Sequence, residues 1–321
     1  MNSTPDQTVS DAPVIGIDFG GTSVKIGLCR GAEVVEKFAP IPTADYRGAD
    51  ALIAVMCDAI DTLKKNHPGV GAVGVGVPGL VDHRSGFVRE ITNVPGWLGV
   101  PFAQILTEKT RLVARVDNDA NCMTYAEFRY GAGVGVQNMI AVTLGTGVGG
   151  GLVLDGQLYH GARSGAGEIG QMSIDFEGKP GTYGNTGALE EYVGNNEIAA
   201  RAKYLYQREG IEQEAKDCSP AALSAAAHDG DAVALQIWNE IATMLSCGLA
   251  NCIWLLNPGA IIIGGGVSKA GSLLLRPLRT KIRTQLADTF CSQLRIEPAK
   301  FGNDAGMIGS AAIARDALTS S

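Results

Sequence analysis

Four short stretches carry residues equipped to do chemistry. In IDFGGT (17–22), Asp18 closes an apolar run directly before a Gly-Gly turn. In VDNDAN (116–121), Asn118 and Asp119 stand where an apolar run gives way to helical spacing. LGTGVGGG (144–151) sets Thr146 among glycines, and AGEIGQMSIDFEGKPGTYGNTGALEEY (166–192) carries Glu168, Glu190 and Glu191 on a glycine-crowded stretch with no Cys or His. Backbone without side chains lets successive N–H groups converge on an anion, and a threonine hydroxyl adds a donor. Gly20, Gly21 and Thr22 therefore form one candidate phosphate turn, and Gly145, Thr146 and Gly147 a second. A carboxylate such as Asp18 beside such a turn repels phosphate unless a cation intervenes, a role Mg2+ can fill through water. The alternative is that Asp18 caps the turn with its own side chain. Asp119, at the carboxyl end of a strand, can accept a proton from a substrate hydroxyl as general base. The plainer alternative makes Asn118 or Asp119 a helix N-cap.

Other signatures fail on context. Residues 145–150 read GTGVGG and satisfy G-x-G-x-x-G. A dinucleotide fingerprint must open a helix, whereas the strand-like GLVLDGQLY follows here. The single Gly-Lys pair, Gly178-Lys179, runs into Pro180, so there is no P-loop. The His residues at 67, 83, 160 and 228 form no H-x-x-x-H pair and read as surface or structural.

Positioning these groups requires a scaffold, and the hydrophobic pattern supplies one. VIGIDFGGTSVKIGLC (14–29) is two β-like runs around a Gly-Gly turn, a hairpin, with a third strand near 33–39. Over 49–65, Leu52, Ile53, Met56, Ile60 and Leu63 share a helical face. A buried strand begins at 72, a helix covers 101–110, a strand 111–116, and a helix runs from Asp119 to Tyr130. The pattern then restarts with strand, glycine turn and strand over 139–156. Helices at 196–208, 219–228 and 231–256 follow, then a strand over 260–268 entering three glycines, a helix at 271–285, a strand near 293–297 and a closing helix at 304–317. Laying the two hairpins over each other puts Asp18 opposite Thr143 and Gly20 opposite Gly145. This predicts a duplicated two-lobe α/β fold with a cleft between the lobes.

Composition narrows the class. The chain has 321 residues, 45% hydrophobic, and a net charge of -7. With no basic run longer than two residues, nucleic acid is not an expected partner. Seven scattered Cys without a C-x-x-C pair read as small core hydrophobes in a reducing compartment. The opening MNSTPDQTVSDAP lacks the basic and apolar regions of a signal peptide. MLSCGLANCIWLL is too short to span a bilayer and is broken by Asn251. The expectation is a cytoplasmic protein with no membrane partner and a disordered tail over 1–12.

Taken in order, IDFGGT (17–22), GVPGLVD (76–82), NVPGW (93–97), DNDAN (117–121), LGTGVGGG (144–151), GAGEIG (165–170), GALEEYV (187–193) and IIIGGGV (261–267) resemble the ROK family of repressors, open reading frames and sugar kinases. The resemblance runs from about Val14 to the last helix. It implies an actin-like (ribonuclease H-like) ATPase fold, with one lobe over 13–121 plus 304–321 and the other over 122–303. It implies an ATP-dependent hexose kinase, most simply a glucokinase, acting with Mg2+ as a homodimer. Asp119 becomes the general base for the sugar 6-hydroxyl. Asn118, Glu168 and Glu190 bind sugar hydroxyls, with Gly79 and Asn93 lining the pocket. Gly20, Gly21, Thr22, Gly145, Thr146 and Gly147 hold phosphates, with Asp18 on the metal side. Lys25 and Thr143 belong to the same nucleotide set, and Gly265 and Gly266 admit the adenosine. Glu191 stays a solvated helix start.

One departure accompanies the match. The family's zinc motif, one His and three Cys, is replaced by Gln171, Gly181, Tyr183 and Ala188. No structural zinc is expected; Tyr183 and Ala188 are expected to pack where it would sit, and Gln171 to keep the sugar contact of the missing His. Competing readings are a repressor, which needs a helix-turn-helix for which about a dozen leading residues leave no room, and a sugar sensor without catalysis. N-acetylhexosamine or fructose as substrate, or polyphosphate as donor, stay open.

Overall fold

The computed structural model describes residues 12–91 and 94–319. The expected tail, apart from Ala12, lies outside the described residues, as does Asn93. The chain divides into two compact units. The first runs to Gly135 and adds Leu158–Ala166 and the chain from Lys300; the second is Val136–Gln157 with Gly167–Ala299.

In the first unit, strands β1 (Val14–Phe19), β2 (Ser23–Arg30), β3 (Glu33–Lys37), β4 (Ile41–Pro42) and β5 (Ala72–Val77) precede a small antiparallel sheet of β6 (Leu80–Asp82), β7 (Phe87–Glu90) and β8 (Leu98–Val100). Strand β9 (Val113–Asn118) completes the main sheet, ordered β3-β2-β1-β5-β9, with β4 on β2. Helices α1 (Ala49–Asn66), α2 (Phe102–Thr110) and α3 (Asp119–Tyr130) connect them. Leu52, Ile53, Met56, Ile60 and Leu63 of α1 are buried, as their spacing predicts. Trp97 packs edge-on between Phe19 and Phe102 at 4.8 and 4.9 Å.

The glycines alternating along β1 and β5 serve the other sheet face. A Cβ at Gly16 would sit 2.0 Å from the Met307 carbonyl oxygen, and one at Gly74 1.8 Å from that of Ser310. The closing helix (Ala305–Thr319) thus lies on bare backbone, and Ser310 Oγ accepts the Ile17 N–H at 3.1 Å. Gly309 brings the same helix onto α3, where a Cβ would meet the Cys122 carbonyl at 1.7 Å. That packing explains why α3 falls in the first unit, whereas the sequence reading placed 122–303 in the second. Buried Glu127 fastens both ends of this region: Oε2 accepts from Ala132 N–H (2.9 Å), and Oε1 from those of Lys300 (2.7 Å) and Phe301 (3.0 Å).

The second unit repeats the plan. Strands β10 (Met139–Leu144), β11 (Val148–Leu154), β12 (Gln157–Leu158), β13 (Ala260–Gly264) and β14 (Arg295–Pro298) are ordered β12-β11-β10-β13-β14. Helices α4 (Glu190–Val193), α5 (Asn195–Arg208), α6 (Pro220–His228), α7 (Ala232–Leu256), α8 (Ser272–Thr284) and α9 (Asp288–Cys291) accompany them. Strand β13 stops at Gly264 rather than 268, because Gly265 turns to φ +83° and a short 3-10 turn follows over Val267–Ala270. Both hairpins pair residue for residue, the first across four residues (20–23) and the second across three (145–147), with Asp18 opposite Lys25 and Thr143 opposite Gly149. Each first strand then takes a parallel neighbour, Asp18 facing Gly76 and Thr143 facing Gly264. Six of the cysteines are buried and Cys247 is half-buried; all are free thiols. Among the described residues, no helix is long and apolar enough to cross a membrane.

Candidate active site

In the first unit, the Gly20 N–H donates to the Ser23 carbonyl at 2.9 Å and closes the β1–β2 turn. The Gly21 carbonyl accepts from Thr43 Oγ1 (2.8 Å) and that of Thr22 from the Thr43 N–H (3.1 Å), while Gly21 and Thr22 themselves stay exposed. Asp18 does not cap this turn: its Oδ2 accepts from Lys25 Nζ at 2.8 Å. The same carboxylate leans on the first turn of the closing helix, where a Cβ at Gly306 would come within 2.7 Å of it. Helix N-termini favour negative charge, so two cationic influences hold Asp18.

Strand β9 ends on Asn118, which is the N-cap of α3: its Oδ1 accepts from Ala120 (2.9 Å) and Asn121 (3.2 Å) N–H groups. Capping therefore falls to Asn118, and Asp119, half-buried, occupies the first helical position, with Oδ1 2.8 Å from the Ala120 nitrogen. Asn118 Nδ2 donates to the Gly79 carbonyl at 3.3 Å. Gly79 has φ +139°, and a Cβ would lie 2.3 Å from the Glu90 carbonyl oxygen, so only glycine fits there. Asp18, Gly76 and Asp117 form one row across β1, β5 and β9. Burial pushes the Cys122 thiol well above its usual pKa, and the nearby Asp117, Asp119 and Asp18 carboxylates add to that shift. Three acids thus stand at the carboxyl ends of β1 and β9, the strands that flank β5, where open α/β sheets bind ligands.

Sequence reasoning missed the support beneath them. Asp117 is 3% exposed. Its Oδ1 accepts from the Asn118 N–H (2.7 Å) and Asn121 Nδ2 (2.9 Å), and its Oδ2 lies 2.7 Å from His160 Nε2. His160 stacks on His83 with ring centroids 3.6 Å apart and planes 3° from parallel; His83 Nδ1 is 2.7 Å from Ser164 Oγ. The sole sequence trace of this is a pair of His residues separated by most of a lobe.

In the second unit, the Gly145 N–H donates to the Gly147 carbonyl (3.0 Å) and the Gly145 carbonyl accepts from Asn195 (2.9 Å). Gly145 has open space around it and Thr146 is exposed, as an anion-binding turn requires. Gly147 has a different reason to be glycine: a Cβ would lie 2.5 Å from Glu190 Oε2. That oxygen accepts the Val148 N–H at 2.8 Å, while Oε1 accepts from Gln171 Nε2 at 3.3 Å. Gly150 and Gly167 likewise press together, a Cβ on either meeting the other's carbonyl within 2.8 Å, and this sets Glu168 beside β11. Burial, and then the Glu190 charge, push the Glu168 carboxyl above its ordinary value. Gln171 Oε1 is buried with no protein donor, so an acceptor stands ready beside the two glutamates. Glu191 stays apart, with its side chain toward Thr182. Half-buried Thr143 faces Gly264 on one side. Gly265 must be glycine to clear Leu144, 2.2 Å from its notional Cβ, whereas Gly266 is open.

The loop over 171–190 is not ordered as expected. Ala188 is fully buried, but Tyr183 is 78% exposed, so it does not replace a metal by packing. Backbone pairing does the work instead. Leu189 N–H donates to Met172 (2.9 Å), Ile174 to Gly187 (2.8 Å), Gly187 to Lys179 (2.7 Å) and Gly181 to Asn185 (2.7 Å). Asn185 Nδ2 reaches the Gln171 carbonyl (2.7 Å), and Tyr192 Oη accepts the Lys179 N–H (3.0 Å). A buried methyl, a glycine and an outward phenol offer no thiolate or imidazole, so the residues present do not fit zinc.

The family model described as the ROK family matches residues 14–317. The chain belongs to the ROK family. It is 36% identical over 94% of both chains to a glucokinase of Halalkalibacterium halodurans. A ROK family glucokinase from Streptomyces griseus, solved in complex with glucose and AMPPNP, superposes with a TM-score of 0.80 at 30% identity, covering 95% of this chain and 99% of that one. A ROK hexokinase from Thermus thermophilus gives 0.80 at 27% identity, covering 96% and 100%. The two units are thus those of the two-lobe actin-like ATPase fold.

Proposed function

We propose that this chain is a glucokinase, transferring the γ-phosphoryl group of ATP to the 6-hydroxyl of glucose. The observation that carries the reading is that Asp18 and Asp119 stand at the carboxyl ends of β1 and β9, the two strands flanking β5, with the open Gly20–Thr22 turn following Asp18. A sensor that only binds sugar needs neither a base nor a metal-facing acid. Asp119 takes the proton as the 6-oxygen attacks, which phosphoryl transfer requires little beyond positioning and charge neutralisation to complete. Asn118, Glu168, Gln171 and Glu190 accept and donate hydrogen bonds to the remaining hydroxyls. Carboxylates suit this task because each can accept from two hydroxyls at once. The Gly20–Thr22 and Gly145–Gly147 turns hold the phosphates, with Gly266 against the adenosine.

Mg2+, when bound, neutralises phosphate charge, and Asp18 is the residue to hold it through water. Its present partner, Lys25, at 2.8 Å, turns to a phosphate oxygen when the nucleotide binds. The reading includes no structural zinc, a cytoplasmic location where ATP is supplied, and a homodimer; exposed Trp254 (49%) and Leu255 (80%) at the end of α7 support the last. A coupled ADP-release assay with Mg-ATP against glucose, mannose, fructose, allose and the N-acetylhexosamines tests the whole. Turnover on glucose above the others is expected. Preference for an N-acetylhexosamine moves the substrate, and silence on every sugar by folded, ATP-binding protein removes the kinase.

A further inference from the structure

The Asp117–His160 pair is bonded to residues on either side of the proposed base. Asp117 lies two residues before Asp119, and its Oδ1 ties the backbone N–H preceding the base (Asn118, 2.7 Å) to a side chain following it (Asn121 Nδ2, 2.9 Å). One carboxylate oxygen thus fixes both flanks of the residue that must meet the 6-hydroxyl. The other oxygen, Oδ2, takes His160 Nε2 at 2.7 Å. A carboxylate only accepts, so Nε2 carries the hydrogen in this pair. The side chains are 4% and 15% exposed, so water cannot readily replace the imidazole. The imidazole is itself held by its stack on His83, whose Nδ1 meets Ser164 Oγ, while the Ala166 N–H fixes the His160 backbone carbonyl at 3.1 Å.

We infer that His160 is a positioning residue for Asp119, acting through Asp117 to hold the 117–121 turn in its reactive geometry. This rests on Asp119 being the base. Losing the imidazole leaves a buried carboxylate oxygen unpaired, and such an oxygen rotates or draws in water. Either motion releases Asn118 and Asn121, and small displacements of a catalytic group cost about a hundredfold in rate.

Three variants separate positioning from bulk stability. His160→Gln keeps an N–H donor at the place of Nε2, His160→Asn is too short to reach, and His160→Ala removes it. The inference expects kcat to fall about ten- to a hundredfold in His160→Ala and His160→Asn, with KM for ATP unchanged and with recovery in His160→Gln. Wild-type kcat in folded His160→Asn, or equal losses in Asn and Gln, would overturn it. Should His160→Ala fail to fold, the Asn–Gln contrast still decides. Amide exchange over 117–124 reads the turn with no substrate present. Faster exchange in His160→Asn and not in His160→Gln supports the tether, and equal protection in both rejects it. A wild type that turns over no sugar but shows this exchange pattern would sink the kinase reading while keeping the tether.

Discussion

The two units share one wiring diagram and divide the chemistry unequally. In each, a tight glycine hairpin opens the sheet, and its first strand takes a parallel neighbour with a glycine opposite the same position. That position is Asp18 in the first unit and Thr143 in the second. Beyond it the first unit places Asp117, Asn118 and Asp119 at a strand end, where the equivalent β13–β14 end offers Gly264, Pro298 and Ala299. The second unit's acids, Glu168 and Glu190, come instead from loops folded against β11 by glycine-on-backbone contacts. In the proposed reading, the base and the metal-facing acid thus belong to one copy of the plan and the sugar-facing carboxylates to the other.

The sharpest break in that symmetry is Asp119. Asp119→Asn should lower kcat by about 10²–10⁴-fold with glucose binding retained in calorimetry; a wild-type rate would leave the first unit without its distinguishing role. Next come the turn glycines of the second unit. Gly147→Ala pushes on Glu190 and should raise KM for glucose by about tenfold, the scale of a lost hydrogen bond to a charged group, while Gly145→Ala, in open space, leaves sugar KM alone. Equal effects would show that the two glycines do the same job.

Acidity gives a smaller, signed effect. Glu168 is pushed upward by burial and Glu190, so it takes up its proton above the usual carboxylate range as pH falls. The protonated acid has lost acceptor capacity, so KM for glucose should climb through that window, and Glu168→Gln should flatten the profile. His83 runs the other way: burial and the neighbouring His160, with Arg84 adding and Asp117 and Asp82 opposing, hold its pKa below the ordinary value. The unfolded chain then binds more protons than the folded one as pH drops below about 6.5, so stability is full above that pH and declines beneath it. His83→Gln should remove that part of the acid loss of melting temperature. The smallest expected effect is none: prolonged chelation should leave the melting temperature unchanged, and a drop would reveal a metal in the 171–190 loop.

Much of this was legible because the elements are locally consistent. Strands β1 and β10, helix α1 and the start of α3 announce themselves by period and turn chemistry, and the repeat aligned Asp18 with Thr143 as the registers do. The small sheet of β6, β7 and β8 was not, since strands of three or four residues with half-polar patterns leave no readable period. Some glycines were legible in place but not in purpose. Gly147, Gly150 and Gly265 clear backbone and side-chain neighbours contributed from far along the chain, which no local pattern encodes. Asp117 reads as part of a motif, yet its partner His160 is brought to it only by the tertiary fold. Tyr183 misled because a large apolar ring suggests burial, whereas main-chain pairing with bonds from Asn185 and Tyr192 closes its loop.

The closing helix lies on Gly16, Gly74 and Cys122, residues made nearly two hundred positions or more before it. Until that helix leaves the ribosome, one face of the first sheet has bare backbone and no cover. Nearly all of the second unit has by then been synthesised, so the order in which the units are completed runs opposite to the order in which they begin. Nascent chains stalled just short of Ala305 should therefore show protease resistance in 167–299 while 14–118 is still cut.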